Sequence, residues 1–136
     1  MLLEKTYRML EYNKIKELLG NHCHFTGSKK IASELVPECD LETVSRNLSE
    51  TEDAVSMILR FGNSPIYSLE EIRPALARAY AGSILSMKEL RSVAGSLKTA
   101  AVFKRYVGNL PEEEELSICK YSRDLYTNRA LENDIF

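Results

Sequence analysis

The stretch Leu69–Leu90 constrains this chain more than any other, because it contains the signals for two helix boundaries. Pro74 suits a first helical position, where its missing N–H would have had no intrahelical partner. Leu76, Ala79 and Tyr80 follow at helical spacing, and Gly82 is free to take the left-handed conformation that closes a helix. Ser86 and Glu89 then form the Ser-x-x-Glu pattern of a capping box, with Leu85 and Leu90 placed for a hydrophobic staple around it. Arg73 and Arg78 flank the first of these helices and are expected to pair with Glu70 or Glu71, or with a neighbouring domain. Arg73, Pro74, Arg78, Ser86 and Glu89 are thus read as structural residues with no evident chemical task.

The rest of the chain follows the same helical pattern. Apolar positions at Leu3, Tyr7, Leu10, Ile15, Leu18 and Leu19 break near Tyr12-Asn13, so two short helices are expected, the second capped by Asn13 and ending at Gly20. Thr26 or Ser28 would cap a third, stopped by Pro37. Asp40 precedes a helix over about 41–61 in which Leu41, Leu48 and Val55 recur at seven-residue steps, as do Val44, Thr51 and Ile58. Such a pattern marks a face packed on a partner helix, and Leu48, Val55 and Ile58 are expected against Leu90, Val93 and Leu97 of a second long helix over 87–107. Ile66-Tyr67-Ser68 reads as a connector, and Asn109–Glu115, with its run of four glutamates, as a loop leading to a helix N-terminus. The last segment, 116–136, has weak periodicity, and its abrupt end suggests a piece of something longer. The expected class is all-α: a multi-helix bundle of long antiparallel helices, with sub-bundles over about 1–62 and 66–136.

Totals exclude several functions. A net charge of −2 lacks the basic excess of a large sequence-independent nucleic-acid surface. Cys23, Cys39 and Cys119 are odd in number and lack CxxC spacing, which fits a reducing compartment better than a disulfide framework. No apolar run reaches the length of a membrane span, and the N-terminus turns charged at once, unlike a signal peptide. A cytoplasmic protein with no membrane partner is expected.

Motifs for chemistry are scarce. His22-Cys23-His24 offers two imidazoles without the further ligands that zinc requires. Gly27-Ser28-Lys29-Lys30 is too short to be a phosphate-gripping loop, no nucleophile comes with a histidine base, and Glu112–Glu115 reads as a solvated face. No catalytic, cofactor-binding or metal-ligating residue is expected in the segment. The basic residues carry more information: Arg91, Lys98 and Arg105 recur at seven-residue steps, with Lys104 widening the patch. Such a row suits a phosphate backbone, although ordinary solvated helix faces carry similar rows.

Four motifs in order carry a resemblance. Thr6–Ile15, Leu48-Ser49-Glu50-Thr51-Glu52-Asp53-Ala54, Ile72-Arg73-Pro74-Ala75-Leu76-Ala77-Arg78-Ala79 and the Gly82, Leu85, Glu89, Leu90 pattern resemble the N-terminal region of the Smr-tailed bacterial MutS paralogues, the second MutS family. Glu71 stands where that family's Asp-Ile-Arg-Pro motif has Asp, and Leu131–Ile135 resembles the start of the helix that continues its core. The resemblance implies that residues 1–136 are a core/lever segment of a longer chain, whose clamp, ATPase and Smr nuclease domains lie elsewhere. It further implies ATP and magnesium as cofactors of the parent chain, with none in this segment. The implied partners are the rest of that chain, DNA or the ribosome, and a second copy in a homodimer. Restraint of recombination and action on collided ribosomes are activities of the family. A stand-alone helical interaction or dimerisation module is the alternative.

Overall fold

In a computed structural model of the chain, residues 2–66, 69–111 and 116–136 are described, with side chains from Lys5 onward. The expected connector positions Tyr67 and Ser68 and the acidic run 112–115 lie outside the described residues. Among the described residues all regular structure is helical: α1 (Leu2–Met9), α2 (Tyr12–His22), α3 (Thr26–Glu34), α4 (Leu41–Phe61), α5 (Arg73–Tyr80), α6 (Met87–Val107), α7 (Cys119–Arg123) and α8 (Arg129–Ile135). The chain is all-α, as its periodicity predicts. It forms two compact units, Met1–Pro37 with Ser68–Glu71, and Glu38–Tyr67 with Ile72–Phe136.

In the first unit α2 packs along α3, and the Tyr7 and Tyr12 rings meet across the α1–α2 corner with centroids 5.3 Å apart. That corner turns at Glu11, whose φ of 53° is left-handed, a conformation costly for a residue with a Cβ. The Glu11 carboxylate then pairs with Lys14 at 2.6 Å. Three expectations fail here. Asn13 lies inside α2 and does not cap it, and Gly20 is likewise interior, because the helix runs on to His22. α3 starts after Phe25 with no side-chain cap, so neither Thr26 nor Ser28 supplies one. The Phe25 ring folds back over Gly27, where an added Cβ would sit 2.4 Å from a ring carbon.

In the second unit the capping chemistry sets the ends of both long helices. Asp40 accepts the Thr43 N–H at 2.8 Å to start α4, and Thr43 accordingly holds the Asp40 carboxyl below its usual range. At the other end Gly62, at φ 81°, closes α4 with its N–H on the Ile58 carbonyl. The core forms where α4 and α6 end: Met57, Val107 and Cys119 are buried, and Phe61, Phe103, Tyr106, Leu110, Leu116 and Ile118 pack around them. Met57 is 1% exposed, so its burial contributes about 2 kcal/mol. The Tyr106 hydroxyl donates to the Gly62 carbonyl at 2.7 Å, and its ring stands edge-on to Phe61.

The expected pairing of Leu48, Val55 and Ile58 with Leu90, Val93 and Leu97 is not formed. Leu48 is 65% exposed and Val55 about half exposed, while α6 packs instead along α8 and α7 and seals Ala94 completely. A heptad pattern identifies which face of a helix wants covering but not which neighbour covers it.

Candidate interaction surface

The structural residues singled out in the sequence converge at the corner between α5 and α6. Pro74 sits in the first turn of α5. That helix closes in a Schellman motif: the Ser83 N–H reaches the Arg78 carbonyl at 3.0 Å and the Gly82 N–H reaches that of Ala79 at 2.9 Å, with Gly82 at φ 81°. Four residues later Ser86 opens α6 with a complete capping box. One oxygen of Glu89, Oε2, accepts from the Ser86 N–H at 2.9 Å, the Ser86 hydroxyl at 2.7 Å and the Arg78 guanidinium at 2.7 Å. Ser86 chiefly, and Arg78 after it, hold the Glu89 carboxyl below the usual carboxylate range. Arg78 therefore pairs with Glu89, eleven residues ahead. Arg73, also in the first turn of α5, is exposed.

Arg91, Lys98 and Arg105 are exposed on α6, spaced about 10 Å per step by the helical rise. The Lys98 ammonium lies 6.0 Å from the centre of the Phe136 ring, and Lys104 is half-buried beside Arg105. None of these four cations has an ion pair among the described residues.

A second set of contacts escaped the sequence reading. Asp53 of α4 accepts the Ser117 backbone N–H at 2.6 Å and, through the same oxygen, the Ser117 hydroxyl. One turn earlier Glu50 takes the Lys120 ammonium and the Tyr121 hydroxyl. Lys120 first, then Tyr121, holds the Glu50 carboxyl below its usual range, and Glu50 raises Lys120 above its own. The acids of the Glu50–Ala54 motif thus clasp α7 and Ser117 just ahead of it. Spacing of three residues put both carboxylates on one face of α4, but nothing local identified their partners.

Large apolar surface remains open. Leu41, Leu48, Val55 and Leu59 form an exposed row along α4, and Tyr80 and Ile84 are each more than 90% exposed. An apolar groove of about 340 Å³ lies between α5, α6 and the C-terminal segment, walled by Ile72, Leu76, Val93, Leu97, Tyr126 and Leu131. A soluble monomer rarely leaves this much apolar surface uncovered.

His22 and His24 are exposed, and the Cys23 thiol donates to the Leu19 carbonyl. Among the described residues no group of three or more His, Cys, Asp or Glu is placed to hold a metal ion. No described helix is long and apolar enough to cross a membrane.

Comparison with known proteins returns one consistent neighbourhood. The chain is 35% identical over 133 residues to the "Endonuclease MutS2" of Ruminiclostridium cellulolyticum, covering 97% of this chain and 17% of that protein. It is 34% identical over 135 residues to the protein of the same name from Acetivibrio thermocellus, again 17% of its length. The match to the Clostridium perfringens protein is 30% over 133 residues. No protein-family model matches the chain. The chain spans about a sixth of the length of these relatives.

Proposed function

We propose that the chain is a segment of a MutS-family protein and serves there as a stiff helical arm of the core and lever region. The arm carries nucleotide state between an ATPase and a nucleic-acid clamp elsewhere in the parent chain, which would bind ATP and magnesium and act as a homodimer in the cytoplasm. α4 and α6, of 21 residues each, suit that task, because long capped helices move as rigid bodies. The parent's target is DNA, the ribosome, or both, and restraint of recombination and action on collided ribosomes are the activities we assign to it.

The observation that carries this reading is the uncovered apolar row Leu41, Leu48, Val55 and Leu59. A face of that kind needs a partner, and the remainder of the parent chain is the partner always at hand. Its test is a pair of melting curves. Leu48→Gln with Val55→Gln should leave the isolated chain's melting temperature nearly unchanged and lower that of the parent by several degrees. Equal shifts in both would reject the arm. The same row favours a second reading, a stand-alone interaction or dimerisation module. That reading requires the isolated chain to dimerise at micromolar concentration and the two glutamines to abolish the dimer.

Within the arm, Arg91, Lys98 and Arg105 would contact phosphates. Replacing all three with Ala should then lower the salt slope of nucleic-acid binding by about three. Unchanged binding at low salt would remove the row from the interface.

A further inference from the structure

The α2–α3 hairpin holds an open cleft of about 410 Å³, lined by residues with polar tips, that none of the assignments above uses. α2 lines it with Asn13, Lys16, Glu17, Gly20 and Asn21, and α3 with Lys29 and Ser33. Residues 13, 16, 17 and 20 share one helix face, so four successive positions on that face of α2 are polar or bare.

Gly20 is the unusual member. It lies inside α2, where glycine is the poorest helix former after proline. A Cβ added there would meet nothing within 4 Å, so no neighbouring atom requires the missing side chain. The glycine leaves its part of the cleft lining without a side chain.

The walls are preset for an anion that also carries a hydroxyl. The Lys16 ammonium is fixed by donation to the Ser33 carbonyl at 2.9 Å, which leaves two of its three N–H bonds to offer. The side chains of Lys29 and Glu17 make no hydrogen bond or ion pair with other described residues. Two ammoniums and the carboxamides of Asn13 and Asn21 favour a phosphate, whereas Glu17 alone would repel one. A ligand satisfies every wall only if its phosphate is joined to a group that donates a hydrogen to Glu17.

We propose that this cleft binds a ribose phosphate, with the phosphate between Lys16 and Lys29 and a sugar hydroxyl donating to Glu17. The unit is carried either by a free ribonucleotide or by an RNA strand. The site uses none of the residues of the arm proposed above, and its failure would leave that reading intact.

The test is binding of the purified chain to AMP, a short RNA and the DNA of the same sequence, at low salt, with melting curves alongside. Saturable binding of AMP assigns a free nucleotide, and binding of RNA without AMP assigns a strand; both support the site. Lys29→Ala should weaken either by about tenfold. Gly20→Leu should abolish binding while leaving the melting temperature unchanged or higher, since leucine improves the helix and fills its part of the cleft. Glu17→Ala, which removes the acceptor, should erase the preference for RNA over DNA. The proposal is overturned if no probe binds the wild-type chain, if RNA and DNA bind it equally, or if Lys29→Ala and Gly20→Leu bind as the wild type does.

Discussion

Asp53 accepts both the backbone N–H and the hydroxyl of Ser117, 64 residues further along the chain. A carboxylate that takes two donors from one residue acts as a cap supplied from a distant helix. Asp53→Ala should therefore destabilise the second unit by about 1–3 kcal/mol, the cost of losing hydrogen bonds to a charged group. Amide exchange should quicken over residues 117–121, and Asp53→Asn, which keeps one acceptor oxygen, should lose less. Unaltered exchange at Ser117 in Asp53→Ala would mean that the clasp does not hold this segment.

Part of the acidic limb of the stability curve should come from Glu50 and Glu89. Both carboxyls are lowered in the folded chain from an ordinary value of 4.5. The unfolded chain therefore binds protons more readily in that window, and stability rises with pH. The contribution is complete above about pH 4.5 and disappears as pH falls through the lowered folded values. Lys120, raised by Glu50, works in the opposite sense: its contribution is present below its ordinary value of 10.5 and is lost as pH climbs through the folded value. Chemical denaturation of Glu50→Gln across pH should show shallower limbs at both ends, and a curve parallel to the wild type would disprove the linkage.

Stability of the second unit should concentrate at the end of α4. Met57→Ala should cost about 2–5 kcal/mol, because it empties a sealed site. Tyr106→Phe should cost about 1 kcal/mol through the hydrogen bond to Gly62. Leu59→Ala, on the exposed row, should stay within about 0.5 kcal/mol in the isolated chain. Denaturant midpoints at constant slope decide all three.

At the α5–α6 corner, Ser86→Ala should cost about 1 kcal/mol by removing the cap of α6. Arg78→Ala leaves the capping box intact and should cost less. The double variant should fall short of the sum, since both residues share one oxygen of Glu89. Strict additivity would show that the three groups do not act together.

Local signals were read from the sequence wherever the chemistry itself is local. α4 and α6 occupy the expected 41–61 and 87–107, because Asp40, Gly62, Ser86 and Glu89 act within four residues of themselves. α2 and α3 defeat the same rules: Gly20 reads as a terminus although the helix runs through it, and Phe25 precedes α3 without offering a cap. Long-range partners were beyond reach. Arg78 had nearer acids than Glu89, and no periodicity connects Asp53 with Ser117 or directs Leu48 away from Leu90. The cleft was missed for a related reason, since only the packing of α2 on α3 brings Lys29 to the face that carries Lys16.

The reach of the Asp53 clasp also sets a timetable for synthesis. At about 5–20 residues per second, translation needs roughly 3–13 s to make the 64 residues from Asp53 to Ser117. For that interval α4 has no Ser117, Lys120 or Tyr121 to grip, and the part of the core supplied by Cys119 does not yet exist. The nascent second unit must keep an apolar helix from sticking to anything else until its later residues emerge. A holdase that shelters α4 during this delay, or a pause in translation that lengthens it, would change how much protein matures without altering any contact in the finished fold.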